Sequence, residues 1–116
     1  MIRVESCLTG RLRPVYPVAT HDVEIRLDGV APDDLEDVLR DASERVLSSD
    51  PRCRKVVFAT HVGDLHAMVA AEAAGFRYVV DVDVPDDGGA LELSLLVREP
   101  ASVTRVDMYL DRVPGT

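Results

Sequence analysis

Several residue types are scarce in this 116-residue chain, which has no tryptophan, two cysteines, and aromatic residues at only 4% of its positions. The cysteines Cys7 and Cys53 lie far apart and lack the C-x-x-C spacing of zinc sites, so the pattern predicts neither a metal centre nor a disulfide framework. No apolar run approaches the length of a membrane span, and no basic leader precedes an apolar stretch. We therefore expect a cytoplasmic protein with no membrane partner.

An excess of basic residues is also absent. The chain carries 21 acidic and 13 basic residues, which gives a formal net charge of −8 at pH 7. Such a charge repels the phosphates of nucleic acids and of anionic membranes, and so argues against both as partners. Because a chain of this length with 47% apolar residues can bury a core of its own, we expect a single domain over residues 1–116.

The N-terminal part of the chain has the pattern of strands. Residues 2–8 and 22–28 alternate apolar and polar side chains with the two-residue period of a strand. Residues 11–19 lie between them and contain Pro14 and Pro17, which cannot donate ladder hydrogen bonds. This middle segment is therefore predicted to be an edge strand or irregular.

A first helix is predicted after Pro32. Apolar side chains recur at helical spacing over the following two turns and beyond: Leu35, Val38, Leu39, Ala42, Val46 and Leu47. Pro32 suits the first turn of a helix, and Asp33 followed three residues later by Glu36 resembles a capping box. The dipeptide at 50–51, Asp-Pro, ends the helix.

A central strand and a second helix follow. Residues 54–60 form an apolar run that predicts a strand covered on both faces. The second helix is predicted from about Asp64 to Ala74, where Gly75 suits a left-handed C-terminal position and Phe76 the apolar residue after it. Its predicted buried side consists of Leu65, Met68 and Val69.

The remaining pattern is that of a hairpin. Residues 77–84 and 90–97 alternate strictly, and the Pro-Asp-Asp-Gly-Gly segment at 85–89 is typical of a loop between strands. The predicted shared face of the first strand is Tyr78, Val80, Val82 and Val84. That of the second strand is Leu91, Leu93, Leu95 and Val97. Residues 103–110 form a candidate last strand.

The whole order predicts an α+β fold with a mixed, mostly antiparallel sheet, a parallel centre and two crossover helices. Because most strands alternate, one face of the sheet is expected to contact water unless a partner covers it.

The block at residues 54–84, RKVVFATHVGDLHAMVAAEAAGFRYVVDVDV, resembles the C-terminal half of the GNAT family of N-acetyltransferases. Members of that family show a buried strand, a short helix with an alanine-rich face, and a Gly-Phe pair that opens an antiparallel strand. The resemblance covers roughly residues 22–98. It implies one GNAT-like domain that lacks the family's usual N-terminal strand and helices.

The resemblance also implies a function, that of an acyl-CoA N-acyltransferase with acetyl-CoA or another acyl-CoA as cofactor. The strand Glu24-Ile25-Arg26-Leu27 is similar to the family's lead-in to its CoA loop, which implies cofactor-binding positions at Ile25, Leu27, Gly29 and Val30. Glu24 matches a general base of some members, and a solvated strand residue is the alternative. His61 is the other titratable candidate, as an acid or a substrate contact. The site is expected where the strand ending at Leu27 parts from the strand ending at Thr60.

Three departures from the family's pattern predict weak or lost catalysis. The pyrophosphate loop keeps only Gly29 of its paired glycines, and Ala71 stands where many members place a proton-donating tyrosine. The helix after the loop begins with four acids: Asp33, Asp34, Glu36 and Asp37. A like-charge pair at about 5 Å costs on the order of 3 kcal/mol at an effective dielectric constant near 20, which disfavours a pyrophosphate there.

The alternative function is a non-enzymatic interaction or dimerisation module on the same half-fold, with a small-molecule or protein partner. Without the helices that cover a sheet face in the related family, we expect a homodimer.

Two smaller patterns leave alternatives open. His61, Asp64 and His66 follow the central strand closely and suit surface or capping roles, a metal site, or a ligand-binding or acid–base role for His61. Cys53 is either a structural cysteine or a thiol whose pKa is lowered by the neighbouring Arg52 and Arg54.

Overall fold

A computed structural model describes residues 2–100, which form five strands, two α-helices and one 3-10 turn. In chain order these are β1 (Ile2–Ser6), β2 (Val23–Leu27), the 3-10 turn (Pro32–Asp34), α1 (Leu35–Ser49), β3 (Val56–His61), α2 (Leu65–Ala73), β4 (Arg77–Asp86) and β5 (Gly89–Arg98). The candidate strand at 103–110 lies outside the described residues. Within the described range, no helix is both long and apolar enough to cross a membrane.

The five strands form one mixed sheet in the order β1-β2-β3-β5-β4. β2 and β3 are parallel, and the other three neighbouring pairs are antiparallel. α1 connects the parallel pair, and α2 leads from β3 to the edge strand β4, after which β5 returns between them. The predicted α+β class, with a mixed and mostly antiparallel sheet, one parallel pair and two helices, is confirmed.

One face of the sheet packs against both helices. Ile25, Phe58 and Leu96 stand in register across β2, β3 and β5 on this face and belong to one buried cluster. Phe76, which follows α2, meets Phe58 edge to face with ring centroids 6.4 Å apart. The predicted burial of Val56 and Phe58 in a central strand is confirmed.

The opposite face of the sheet is covered by the chain itself. Val57 and Leu95 belong to a second buried cluster on this face. Leu12, which is fully buried, and Tyr16 pack on them from the irregular segment 7–21. The expectation of a wet face was therefore wrong, because the prolines that keep this segment out of the sheet leave its apolar side chains free to pack over it.

α2 buries its small side chains and exposes two of its large ones, whereas Met68 is partly buried against the core on the predicted side. The buried side consists of Ala67, Ala70 and Ala71, followed by the cap residue Ala74. Leu65 is 70% exposed and Val69 is 64% exposed, so their predicted burial was wrong. The alanines also recur at helical spacing, and their methyl groups let this helix approach the sheet closely.

α2 ends in a Schellman motif. The N–H of Phe76 donates to the carbonyl of Ala71 at 3.0 Å, and the N–H of Gly75 donates to the carbonyl of Glu72 at 3.1 Å. Gly75 has a φ of +105°, which confirms the left-handed conformation predicted for it. This glycine turns the chain from the helix into β4.

β4 departs from the strict alternation that its sequence suggests. A bulge separates Tyr78, which pairs with Leu96, from Val80, which pairs with Leu95. Tyr78 therefore lies on the helix face, whereas Val80 and the residues that alternate with it lie on the opposite face. The prediction that all four share one face was wrong, because the extra residue shifts the alternation by one.

The hairpin loop and the start of α1 also differ from the sequence prediction. The five-residue loop at 85–89 contracts to two residues, because Pro85 continues the β4 ladder, as a proline can on an edge strand. Neither the 3-10 turn nor α1 has a side-chain cap hydrogen bond. The predicted capping box of Asp33 and Glu36 is therefore wrong, and Glu36 pairs with Arg40 one turn later.

Candidate functional site

β2 and β3 part toward their carboxyl ends. Their parallel ladder ends at the pair Ile25–Phe58, whereas β3 stays paired with β5 as far as His61. A cavity of about 360 Å³ opens where the two strands separate, lined by Leu27 of β2 and Thr60 of β3 among others. This is the place where the sequence analysis expected a site. Beyond the last pair, the facing N–H and C=O groups of β2 and β3 no longer bond to each other. Since such groups need hydrogen-bond partners, they can bind a ligand.

The helix side of this cavity is mostly apolar. Its walls come from the two strands, α1 and α2: Leu27, Leu35, Phe58, Thr60, Asp64 and Ala67. The loop after β2 contributes Asp28, Gly29 and Val30. Gly29 has a φ of +71°, and a Cβ added there would meet nothing within 4 Å, so the loop turns beside open space. His66 Nε2 lies 3.2 Å from the carbonyl oxygen of Pro32, which links α2 to the end of this loop.

The opposite side of the cavity has a different chemistry. Its lining residues are Arg11, Arg26, Ala59, His61, Leu91 and Leu93. Because Arg26 alternates with Ile25 and Leu27, it lies on the sheet face away from the helices, and His61 lies on that face by the same alternation along β3. The cavity therefore takes residues from both faces of the sheet, with cationic side chains on one of them.

Glu24 is held by Arg11 in a partly buried ion pair. Glu24 is only 2% exposed, and its two carboxylate oxygens accept from Arg11 Nη2 at 2.6 Å and Nε at 3.3 Å. A buried carboxylate is costly unless it is paired in this way, so Arg11 and the segment that carries it are fixed against β2. The solvated alternative for Glu24 was therefore wrong.

The structure brings together four of the six residues that the sequence analysis assigned to the site. Leu27, Gly29, Val30 and His61 line the cavity. Ile25 is buried in the core of the helix face and does not line it. Glu24 does not line it either, since its carboxylate is turned to Arg11.

Arg11 and Arg26 are two of the charged lining residues that sequence reasoning missed. The sequence pattern could have indicated Arg26, because this residue lies on the same strand face as Glu24 and close to the expected end of the strand. Nothing in the pattern indicated Arg11, since it reaches the cavity from an irregular segment 13 residues before Glu24.

His61, which ends β3, lines the cavity, and Asp64 both lines the cavity and caps α2. The Asp64 carboxylate accepts from the Ala67 N–H at 3.1 Å and caps α2, while His61 is exposed at the cavity. Ala71 is fully buried and does not line the cavity, whereas Ala67 does. A proton donor in this cavity would have to come from a position other than 71.

The acidic start of α1 is partly neutralised. Arg40 pairs with Glu36 one turn earlier and with Asp37 at 3.3 Å. Asp33 and Asp34 are exposed in the 3-10 turn. The repulsion expected for a pyrophosphate is thus reduced at Glu36 and Asp37 and kept at Asp33 and Asp34.

Neither cysteine has the surroundings of a reactive thiol. Both are buried, and burial raises the pKa of the Cys53 thiol, so the pKa depression suggested by its arginine neighbours was wrong. Burial, with Asp22 and Glu24 nearby, raises the pKa of Cys7 to about 12. Among residues 2–100, no group of three or more His, Cys, Asp or Glu side chains has the arrangement of a metal site.

Comparison of the sequence with protein-family models finds no match, and comparison with curated proteins finds no significant match. The functional argument therefore depends on the geometry of the cavity.

Proposed function

We propose that this chain is an acyl-CoA N-acyltransferase-like domain that binds an acyl-CoA thioester between β2 and β3, with weak or lost catalysis. The observation that carries this proposal is the cavity itself. It opens where two parallel strands diverge, next to a loop that turns at a positive-φ glycine. The order of β2, α1, β3, α2 and the β4–β5 hairpin supports the same proposal, because the resembling family has the order strand, helix, strand, helix, hairpin.

The dimensions and walls of the cavity suit a narrow chain that carries a thioester. The apolar helix side, with Leu27, Phe58 and Ala67, suits the methylene and amide chain that precedes the sulfur. Backbone groups freed beyond the last β2–β3 pair can hydrogen-bond to its amides and to the thioester oxygen. The exposed acids of the 3-10 turn weaken the binding of a pyrophosphate, which supports low affinity.

Acyl transfer from such a thioester needs two proton transfers, one from the amine and one to the leaving thiolate. The amine nitrogen attacks the carbonyl carbon, the C–S bond breaks, the amine loses a proton and the leaving thiolate gains one. His61 is the imidazole on the cavity wall, and because it is exposed it can accept a proton from a bound amine and release it to solvent. Glu24 is separated from the cavity by its ion pair with Arg11, which supports the expectation of slow turnover.

Binding is tested by thermal unfolding with coenzyme A and acetyl-CoA at millimolar concentration. A ligand at 100 times its Kd stabilises the folded state by about 2.7 kcal/mol, which raises the Tm by several degrees in a domain of this size. Gly29→Ala should reduce this shift. Gly63→Ala is the matched control, because Gly63 also has a positive φ and open space beside it but does not line the cavity. An unchanged Tm at millimolar acetyl-CoA would contradict the proposal.

Catalysis is tested by thiol release from acetyl-CoA over a panel of amines. We expect turnover near background in the wild type, and lower still in His61→Ala. His66→Ala is the control, because His66 contacts Pro32 and does not line the cavity. Robust turnover in the wild type that is lost in Glu24→Gln would restore Glu24 as the base and overturn the assignment of weak catalysis.

A second candidate function, a dimerisation module, is favoured by the outer face of α2. Leu65 and Val69 are one helical turn apart and point away from the buried alanines, and the nearby Val62 is also exposed. Two copies of such a face can pair about a two-fold axis, since an apolar stripe is complementary to itself. Light scattering at tens of micromolar should then report a dimer, and Leu65→Ser with Val69→Ser a folded monomer whose Tm no longer depends on protein concentration. A monomeric wild type would exclude this candidate.

A further inference from the structure

The two sides of the cavity differ in charge, although the chain as a whole is strongly acidic. None of the described residues that line the helix side carries a positive charge, whereas the opposite side has Arg11 and Arg26. Arg3 of β1 stands directly opposite Arg26 in the ladder, on the same face. Asp28 also lines the cavity, so three guanidinium groups lie here among three carboxylates, those of Glu5, Glu24 and Asp28. The charges of this side balance, but its arginines are the cationic groups that the cavity offers to a ligand.

From this asymmetry we propose that the acceptor is an amine that also carries a carboxylate, and that it enters from the face away from the helices with its carboxylate on Arg26 and Arg11. This inference rests on the proposed function, because it assigns a substrate class to the same cavity. It names Arg26 as the residue that determines this specificity.

Arg26 is available for such a contact. Its side chain is one-third exposed, and its ion pair with Glu5 has an Nη1–Oε1 distance of 3.4 Å, at the long end of hydrogen bonding. A ligand carboxylate that accepts two parallel N–H bonds from the guanidinium makes a better-formed pair than this one. The ligand would therefore displace a weak contact.

Arg11 is fixed in place and keeps donors to offer. Its pair with Glu24 uses Nε and Nη2, and Nη1 takes no part in that pair. Because the buried Glu24 carboxylate sets the orientation of this guanidinium, Arg11 presents a preorganised donor at the cavity wall. The role of Glu24 in this arrangement is positioning.

The same surface selects against other amines. An amine without a carboxylate would leave both guanidinium groups with only their glutamate partners, Glu24 for Arg11 and Glu5 for Arg26. An α-amino acid with an apolar side chain matches the whole wall, because Leu91 and Leu93 lie beside the arginines on this side. With the carboxylate on Arg26, its amine can face the gap between β2 and β3, toward the thioester.

The reaction balances with the groups named. The free amine attacks the thioester carbonyl carbon, an N–C bond forms and the C–S bond breaks. The amine proton passes to His61 or to water, and the thiolate takes a proton to leave as the free thiol of coenzyme A. The products are an N-acyl amino acid, which keeps its carboxylate, and coenzyme A.

The test uses N-acetyl-L-leucine and N-acetyl-L-leucinamide, which differ only in the carboxylate, in NMR titrations of the full chain. We expect the acid to bind at least tenfold more tightly than the amide, and Arg26→Gln to remove this preference while Arg26→Lys keeps part of it. Arg77→Gln is the control, because Arg77 also lies on a strand and pairs with one glutamate at 3.2 Å, away from the cavity.

The possible outcomes separate this inference from the proposed function. If acetyl-CoA raises the Tm but the acid and the amide bind alike, the anionic acceptor is wrong and the proposed function stands. If the acid is preferred through Arg26 but acetyl-CoA has no effect, the carboxylate site is retained and the acyl-CoA function is wrong. If Arg26→Gln and Arg77→Gln reduced the preference for the acid equally, the assignment of Arg26 would be overturned.

Discussion

The guanidinium of Arg98 donates to the carbonyl oxygen of Ala74, the last residue before the glycine that ends α2, at 3.1 Å. The same Nη1 lies 2.8 Å from the hydroxyl of Ser43, which is fully buried in α1. One side chain at the end of β5 thus joins both helices to the sheet. Because the fully buried side chains of α2 are all alanines, with Met68 partly buried beside them, this polar contact fixes the helix where apolar packing is thin.

We therefore expect Arg98→Met to be destabilising, since it keeps much of the apolar stem but leaves a buried hydroxyl and a helix-terminal carbonyl without their donor. Hydrogen bonds from charged groups contribute about 1.5–3 kcal/mol each, and a loss in that range is expected in urea unfolding. Arg77→Met, which removes an exposed arginine with one glutamate partner, should have a much smaller effect. Equal effects of the two substitutions would show that Arg98 does not join these elements.

Gly75→Val should also be clearly destabilising. The positive φ of this residue costs a β-branched side chain on the order of 1–3 kcal/mol, and an added Cβ would lie 3.2 Å from Arg98 Nε. Gly88→Ala is the control, because that glycine has open space and no left-handed φ. The measurement is the free energy of unfolding of both variants, and a Gly75→Val protein as stable as the wild type would contradict the conformation assigned here.

Phe58→Ala should lower the free energy of unfolding by roughly 3–5 kcal/mol, as expected for an aromatic ring in a packed core. The ring lies in the central strand, contacts Phe76, and also lines the cavity. Tyr78→Ala is the comparison, because Tyr78 is an exposed ring on an edge strand and should cost far less. Thermal unfolding that gives the same Tm for Phe58→Ala and the wild type would make the central-strand assignment wrong.

The buried Cys7 makes stability fall at high pH. Burial, together with Asp22 and Glu24, raises the pKa of this thiol from its ordinary value to about 12, so the folded state favours the neutral thiol. Its contribution to stability is complete below the pKa of the unfolded chain and is lost as the pH rises toward the folded value. Urea unfolding between pH 8 and pH 11 should show this loss in the wild type, and a smaller loss in Cys7→Ala.

The same burial predicts slow thiol chemistry. At pH 8 the folded protein should react with a disulfide reagent only as fast as it unfolds, and both cysteines should react at once in urea. Rapid labelling of one thiol in the native protein would show that it is accessible.

The strands and helices could be predicted because their local patterns are strong, but the orientation of α2 could not. Two helical stripes compete there, one with Leu65 and Val69 and one of alanines. Hydrophobicity alone favours the larger side chains, whereas the closeness of the helix to the sheet selects the smaller ones. The bulge at Tyr78–Val80 was unpredictable for a related reason, since one unpaired residue leaves the apolar pattern of β4 unchanged.

The candidate site was predictable in part. Its location followed from the order of strands and helices, which places the ends of β2 and β3 side by side. Its chemistry did not follow, because Arg11 comes from a segment without regular structure and is oriented by a contact with Glu24 that only the folded chain makes.

The position of β5 between β3 and β4 has a consequence for the order in which the sheet can assemble. β5 follows β4 after two residues, whereas its pairing with β3 joins residues up to 42 positions apart, from Val56 to Arg98. Contacts between near neighbours close short loops at low entropic cost, so the β4–β5 hairpin is expected to form first. The hairpin can then dock through β5, and the chain never has to insert a strand into a finished sheet. A substitution that slows the formation of this hairpin, for example at Gly89 in its turn, should lower the folding rate with little effect on the rate of unfolding.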